Sequence, residues 1–188
     1  MFFRYKSHIA TWLMAAAFTA VSIVSMAVQA AAPATGAEAA CMIDVNTGRI
    51  LYQHNPTKWM HPASTTKIVT LITALDQCSD KLDQPLKISS YAANIEPSSL
   101  GIAPGDALTV REALRGMMVV SGNDAAVAVA ETLGGSVAGY AAMMNAEAQK
   151  MGAAHTHFVN PNGLTAPKHY TTAVDMAKMA AYGMKNFP

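Results

Sequence analysis

The stretch that most constrains this chain is His61-Pro62-Ala63-Ser64-Thr65-Thr66-Lys67, which runs without a break into the apolar segment Ile68–Leu75. Proline is tolerated in the first turn of a helix, where its missing N–H costs nothing. The apolar run reads as a buried helix, so Ser64 falls at its N-terminus and Lys67 one turn later on the same face. Backbone N–H groups at a helix start lack intrahelical partners and can hold negative charge that develops on an acyl group. A buried lysine near the positive end of the helix dipole has its pKa pushed down and can act as a base near neutrality. The two residues therefore read as a nucleophile beside its activator, in an S-x-x-K arrangement. The spacing alone is not specific. The plainer alternative makes Ser64 a helix cap and Lys67 a surface residue with a solvated head.

Ahead of this stretch, residues 1–30 read as an export signal. Arg4 and Lys6 form a basic start, Ile9–Val28 is apolar and uncharged, and small residues around Ala30 suit a signal peptidase. Left uncut, the run is long enough to span a bilayer. Residues 31–38 form a short Ala-rich leader, expected to be flexible. The remaining ~156 residues suffice for one domain with its own core. The net charge is +1 and no basic stripe is present, which argues against a nucleic-acid interface.

Residues 39–44 and 49–53 read as two strands joined by the turn Val45-Asn46-Thr47-Gly48. An isolated hairpin is marginal in water and needs a partner, for which the helix after Ser64 is the evident candidate. Cys41 and Cys78 are the only cysteines. Export makes a disulfide chemically possible, and two unpaired thiols are the plainer reading. Leu82–Ser99 reads as loop, with a short strand at 86–88, and Pro104-Gly105-Asp106 as a turn. Thr109-x-x-Glu112 is a capping box that opens a helix over 110–120. Helices are expected over 124–133, ended by Gly134-Gly135, and from the Ser136 cap to Met151, ended by Gly152. Ser121-Gly122-Asn123 lies on the connection between the first two, where polar side chains can project into a cleft. Asn160-Pro161-Asn162-Gly163 is a turn, and Thr172-x-x-Asp175 opens a last helix.

Taken together, these pieces resemble the serine D-alanyl-D-alanine carboxypeptidases, the low-molecular-mass penicillin-binding proteins of peptidase family S11. Ser64-Thr65-Thr66-Lys67 is similar to their first motif and Ser121-Gly122-Asn123 to their second, S-x-N. The resemblance extends to Asp44-Val45-Asn46-Thr47-Gly48, Ser98-Ser99-Leu100-Gly101, Pro104-Gly105-Asp106 and Phe158–Leu164. It covers essentially all of 39–188, the N-terminal part of a D,D-peptidase domain. It implies an α+β fold of the β-lactamase/transpeptidase type, with the N-terminal hairpin, a helical cluster and an antiparallel sheet that is incomplete here. It implies Ser64 as acyl-ester nucleophile, Lys67 as general base, Ser121 as proton relay and Asn123 as a substrate-binding residue, with no metal and no cofactor. The implied substrate is the peptidoglycan stem peptide, with β-lactams as inhibitors. The implied location is the periplasm or cell envelope, with membrane contact only through an uncut signal or a C-terminal anchor beyond residue 188.

The family's third motif, Lys-Thr-Gly, occurs nowhere in these 188 residues. The resemblance places on that strand one oxyanion donor and the groups that bind the substrate carboxylate. One lost oxyanion donor costs about 10²–10³ in rate. The chain is therefore expected to be a truncated form, weak or inactive unless a complementary segment supplies the missing strands. A non-catalytic penicillin- or peptidoglycan-binding fragment is the alternative. A class A β-lactamase is a poorer match, because Gly122 stands where that family usually has Asp and no E-x-x-L-N loop is present. D,D-endopeptidase action uses the same residues. Gly134-Gly135-Ser136-Val137-Ala138 approaches a nucleophile elbow but follows a helix, so Ser136 reads as a cap. His155 and His157, two apart in a loop, make a poor metal pair.

Overall fold

Asp44 organises the first turn. Its carboxylate accepts from the Thr47 backbone N–H and hydroxyl, both at 2.7 Å, and its carbonyl accepts from the Gly48 N–H at 2.8 Å. Gly48, at φ +72°, supplies the left-handed residue that closes the loop. The flanks pair as antiparallel strands β1 (Ala40–Ile43) and β2 (Ile50–His54), with Cys41 opposite Gln53 and a bulge between Met42 and Ile43. The computed structural model describes residues 33–188, so the export-signal reading of 1–30 lies outside the described residues. Gly36 to Pro188 forms one compact unit, and residues 33–38 carry neither helix nor strand.

A 3₁₀ turn at Ala63–Thr65 leads into helix α1 (Thr66–Gln77). A second 3₁₀ turn spans Ser79–Lys81, and a short helix α2 spans Ser90–Ala93, capped by Ser89. Helices α3 (Val110–Val120), α4 (Asn123–Gly134), α5 (Val137–Lys150) and α6 (Ala173–Asn186) follow. The capping residues do what their chemistry requires. Thr109 and Glu112 form a reciprocal box at α3, Ser136 accepts from the Gly139 N–H at α5, and Thr172 accepts from the Asp175 N–H at α6.

Helix α4 forms the centre of the core. Ala125, Ala126, Val127, Ala128, Val129 and Ala130 are all buried, and α3, α5, α2 and α1 pack around it. Its small side chains let neighbouring helices approach closely. At the α4–α5 corner, where the axes bend by 85°, a Cβ on Gly134 would lie 2.5 Å from the Tyr140 nitrogen. That close approach requires glycine at 134, and Gly135, left-handed at φ +72°, ends the helix.

Two expectations need correction, while the plainer reading of the cysteines holds. The hairpin packs on α6, not on α1, because the chain returns along the Met60–Thr171 bridge and delivers α6 against β1. No strand forms at 86–88. One isolated bridge joins Pro85 and Thr109, with the Leu86 N–H donating to the Leu108 carbonyl, and α2 occupies part of the expected loop. Cys41 and Cys78 are both free thiols. Burial raises the pKa of each thiol, which keeps them protonated. Among the described residues the sheet has two strands and the architecture is α+β.

Candidate active site

The site begins with the backbone before α1. Pro62 is buried and starts the 3₁₀ turn. Ala63 has φ +48°, a left-handed conformation that a residue with a Cβ adopts at a cost. Gly163 holds it there. A Cβ on Gly163 would lie 1.9 Å from the Ala63 carbonyl oxygen, so only glycine permits the 160–163 loop to approach this turn. Ser64 therefore sits on the 3₁₀ turn just ahead of the α-helix, exposed to solvent.

Lys67, in the first turn of α1, is only 2% exposed. Its Nζ donates to Asn123 Oδ1 at 2.7 Å, to the Asn162 carbonyl at 2.7 Å and to Ser64 Oγ at 3.2 Å. Three acceptors match the three N–H bonds of an ammonium group. Burial pushes the Lys67 pKa down to about 8, and loss of hydration alone accounts for it. The amine is thus available as a base within reach of neutral pH.

Asn123 reaches Lys67 because it opens α4 directly after the α3–α4 corner. Ser121 ends α3 in a left-handed conformation (φ 60°), and Gly122 lies between the two. A Cβ on Gly122 would lie 2.9 Å from Asp124 Oδ1 and 3.1 Å from the Leu100 nitrogen, which explains a glycine in the middle of the motif. Ser121 is half-buried and makes no side-chain hydrogen bond among the described residues. The structure therefore gathers Ser64, Lys67 and Asn123 in one hydrogen-bonded cluster and sets Ser121 two residues from Asn123, outside that cluster.

Several supporting residues were not legible as such. Asp124 is fully buried, and its carboxylate accepts from Ser99 Oγ (2.6 Å) and from the backbone N–H groups of Leu100, Gly101, Ile102 and Ala125. Burial alone would raise its pKa, but these hydrogen bonds outweigh it and hold the carboxyl below its usual range. The clamp fixes the 98–102 loop, and the Ser98 carbonyl in turn accepts from the Asn123 N–H at 2.7 Å. Asn145 makes a two-point contact with the Phe158 backbone, and Thr70 donates to the Pro161 carbonyl at 2.6 Å. Together they hold the loop whose Asn162 carbonyl faces Lys67.

His169 completes the frame. It is buried, and the Val159 N–H donates to its Nδ1 at 3.1 Å, so the ring proton sits on Nε2 and points to Thr66 Oγ1 at 3.0 Å. Burial, with the neighbouring His61 and His157, pushes its pKa down to about 4, so the ring is neutral in its working range. Of the His155 and His157 pair, the His157 ring takes a backbone partner and His155 is held by its backbone. The His155 N–H donates to Asp175, and His157 Nδ1 pairs with the Lys168 carbonyl. Among the described residues no group of three or more His, Cys, Asp or Glu side chains could hold a metal ion.

This geometry has relatives. The sequence profile of the D-alanyl-D-alanine carboxypeptidase family matches residues 26–188. The chain is 41% identical over 147 residues to D-alanyl-D-alanine carboxypeptidase DacF of Bacillus subtilis, covering 77% of this chain and 38% of that protein. It is similar to the crystal structure of the D-alanyl-D-alanine carboxypeptidase DacD from Francisella tularensis, with a TM-score of 0.79 and 37% identity, covering 84% of this chain and 39% of that one. Against penicillin binding protein 5 from Haemophilus influenzae the TM-score is 0.77 at 33% identity, covering 83% and 47%. The fold is thus that of the penicillin-binding D,D-peptidases, and the chain spans about two-fifths of the length of the curated relatives it matches. On the profile match over most of its length, and on these identities, the chain belongs to the D-alanyl-D-alanine carboxypeptidase family.

Proposed function

We propose that these residues carry out serine acyl transfer on the D-alanyl-D-alanine end of peptidoglycan stem peptides, and that penicillins acylate the same serine. The observation that carries this reading is the set of partners around Lys67. Asn123 Oδ1 and the Asn162 carbonyl can only accept hydrogen bonds. When Lys67 loses its proton, its two remaining N–H bonds stay on those oxygens. The lone pair then turns toward the third position, Ser64 Oγ, and the base is aimed at the nucleophile by its own anchors.

Neutral Lys67 takes the hydroxyl proton as Ser64 Oγ forms a bond to the carbonyl carbon between the two D-alanines. The Ser64 backbone N–H, at the open start of α1, supports the resulting oxyanion. The C–N bond then breaks, and Ser121 relays a proton to the departing D-alanine nitrogen, leaving an ester on Ser64. Water hydrolyses that ester and frees the serine. Asn123 both anchors Lys67 and offers its amide N–H bonds to the substrate backbone. The basic, apolar and small-residue pattern of 1–30 supports export, and with it action in the periplasm or cell envelope.

The test is intact-mass analysis of the purified chain before and after exposure to a penicillin. Because no Lys-Thr-Gly motif occurs in these residues, the expected result is slow addition of one penicilloyl group, absent in Ser64→Ala. A folded chain that gains no adduct, or an adduct that survives Ser64→Ala, overturns the assignment.

A further inference from the structure

Beside the start of the nucleophile segment lies a cavity of about 600 Å³ that the proposed chemistry does not use, lined by Glu38, Lys58, Trp59, His61, Lys168 and Tyr170 among others. Its floor is aromatic. Trp59 lies parallel to Tyr170 at 4.4 Å between ring centres with a 3° interplanar angle, and His157 backs Tyr170 from 6.1 Å. The backbone locks this stack. Met60 and Thr171 exchange two hydrogen bonds of 2.9 Å, and His157 and Tyr170 exchange two of 2.9 and 3.0 Å. A parallel stack covers one face of the indole. Trp59 remains 61% exposed, so its other face is open to solvent.

A rigid, open indole face with polar side chains around it suits a saccharide. A pyranose lies flat on an aromatic ring with its axial C–H bonds pointing into the electron-rich face. Lys58 and Glu38 form an ion pair with each other, and the remaining N–H bonds of Lys58, the Lys168 ammonium and the second Glu38 oxygen offer donors and acceptors for hydroxyl and acetamido groups. Distance supports the same occupant. Trp59 precedes Ser64 by five residues, so their Cα atoms are at most about 18 Å apart. A five-residue stem peptide has the same maximal reach of about 18 Å. A peptide with its end at Ser64 can therefore have the sugar that bears it on Trp59.

We propose that the Trp59–Tyr170 platform is a saccharide subsite that takes the amino-sugar backbone of peptidoglycan next to the stem peptide. The choice of occupant rests on the peptidase reading above. It explains why a tryptophan that adds nothing to the core is stacked on Tyr170 with a face open to solvent one short segment from the nucleophile.

Trp12 and Trp59 are the only tryptophans, so Trp12→Phe leaves Trp59 as the sole indole reporter. Titrating that variant with an N-acetylglucosamine tetrasaccharide is expected to give a saturable change in indole fluorescence. By calorimetry, Trp59→Ala is expected to weaken binding about tenfold, the size of one lost ring contact. Trp59→Tyr, which keeps a ring on Tyr170, is expected to retain most of the affinity, and circular dichroism checks that each variant is folded. No saturable response, or equal binding by a folded Trp59→Ala chain, overturns the subsite. A response to free stem pentapeptide but not to the tetrasaccharide also overturns it. Penicillin adducts are scored on the same samples. An adduct without sugar binding refutes the subsite alone, and sugar binding without an adduct refutes the acyl-transfer reading while the subsite stands.

Discussion

The helical cluster and the N-terminal hairpin treat polar and apolar groups in opposite ways. In the cluster, the charged and polar side chains around the site are buried and paired, the Thr73 hydroxyl in α1 being a buried group without a partner among the described residues. Lys67 has three acceptors, Asp124 has five donors, and both ring nitrogens of His169 are paired. In the hairpin, apolar side chains face water, with Met42 at 52%, Ile50 at 43% and Leu51 at 50% exposure. Buried polar groups are costly unless satisfied, so the cluster has one tightly specified arrangement. The hairpin has the local turn chemistry to form but buries little. The difference teaches that the site's geometry is fixed by the helices and their loops, while the hairpin contributes little to holding it.

The sharpest way to break this contrast is at Lys67. Lys67→Met keeps the stem and removes the base, and acylation by a penicillin is expected to fall by at least ~10³-fold in stopped-flow or mass kinetics. Thermal stability should change much less. The variant gains by removing a buried charge and loses by leaving the Asn162 carbonyl without a donor. Next comes Asp124→Ala, which touches no proposed reacting atom. It strips the shared acceptor from the backbone N–H groups of Leu100, Gly101 and Ile102, removes a buried carboxylate that Ser99 and Ala125 also bond, and is expected to cost ~3–5 kcal/mol in chemical denaturation. If Asp124→Ala melted like the parent chain, the claim that the 98–102 loop is clamped through this carboxylate would fall.

Asp124 also shows where sequence reasoning stopped. Helix limits were legible because caps and stops are local: Thr109 with Glu112, Ser136, Thr172 and the glycines act within a few residues of themselves. Ser64, Lys67 and Asn123 were legible through motif spacing. Asp124, adjoining the second motif, read only as the first residue of a helix, because four of its five donors lie more than twenty residues earlier in the chain. The Asn160–Gly163 turn was readable as a turn, but nothing local announces that its Asn162 carbonyl faces Lys67 from ninety-five positions away. His169 left no signal at all. Its role comes from Thr66 and Val159, brought to it by the fold. The same reason misplaced the hairpin's partner, since a strand's pattern does not say which helix will cover it.

The two shifted bases give the cluster a pH signature of its own. Lys67, with its folded pKa lowered to about 8 from 10.5, imposes a cost that is fully present below pH 8. That cost, ~3 kcal/mol, is relieved as pH rises from about 8 to 10.5. Acylation should rise with pH through about 8 as the amine becomes neutral. His169 works at the other end. The unfolded ring takes up a proton below its ordinary pKa of 6.5, and the folded ring does not until about 4. Stability should therefore fall as pH drops from 6.5 to 4, by up to ~3 kcal/mol. His169→Gln, with an acceptor for Val159 and a donor for Thr66, should flatten that acid slope in urea titrations run at each pH.

The smallest expected effect is in the hairpin. Met42→Thr and Ile50→Thr replace exposed apolar side chains with a residue that favours strands and carries no charge. With roughly half of each side chain already in water, the change in stability should stay within ~0.5 kcal/mol by denaturant titration, and acylation should not move. The prediction has force because the same change of side-chain type inside the cluster, Met117→Thr or Met144→Thr, acts at fully buried positions. There a hydroxyl enters the packed interior and volume is lost, at an expected ~2–5 kcal/mol. If the hairpin substitutions were as damaging as those in the cluster, the hairpin would be holding the fold, and the division between a specified helical half and a loosely held strand pair would be wrong.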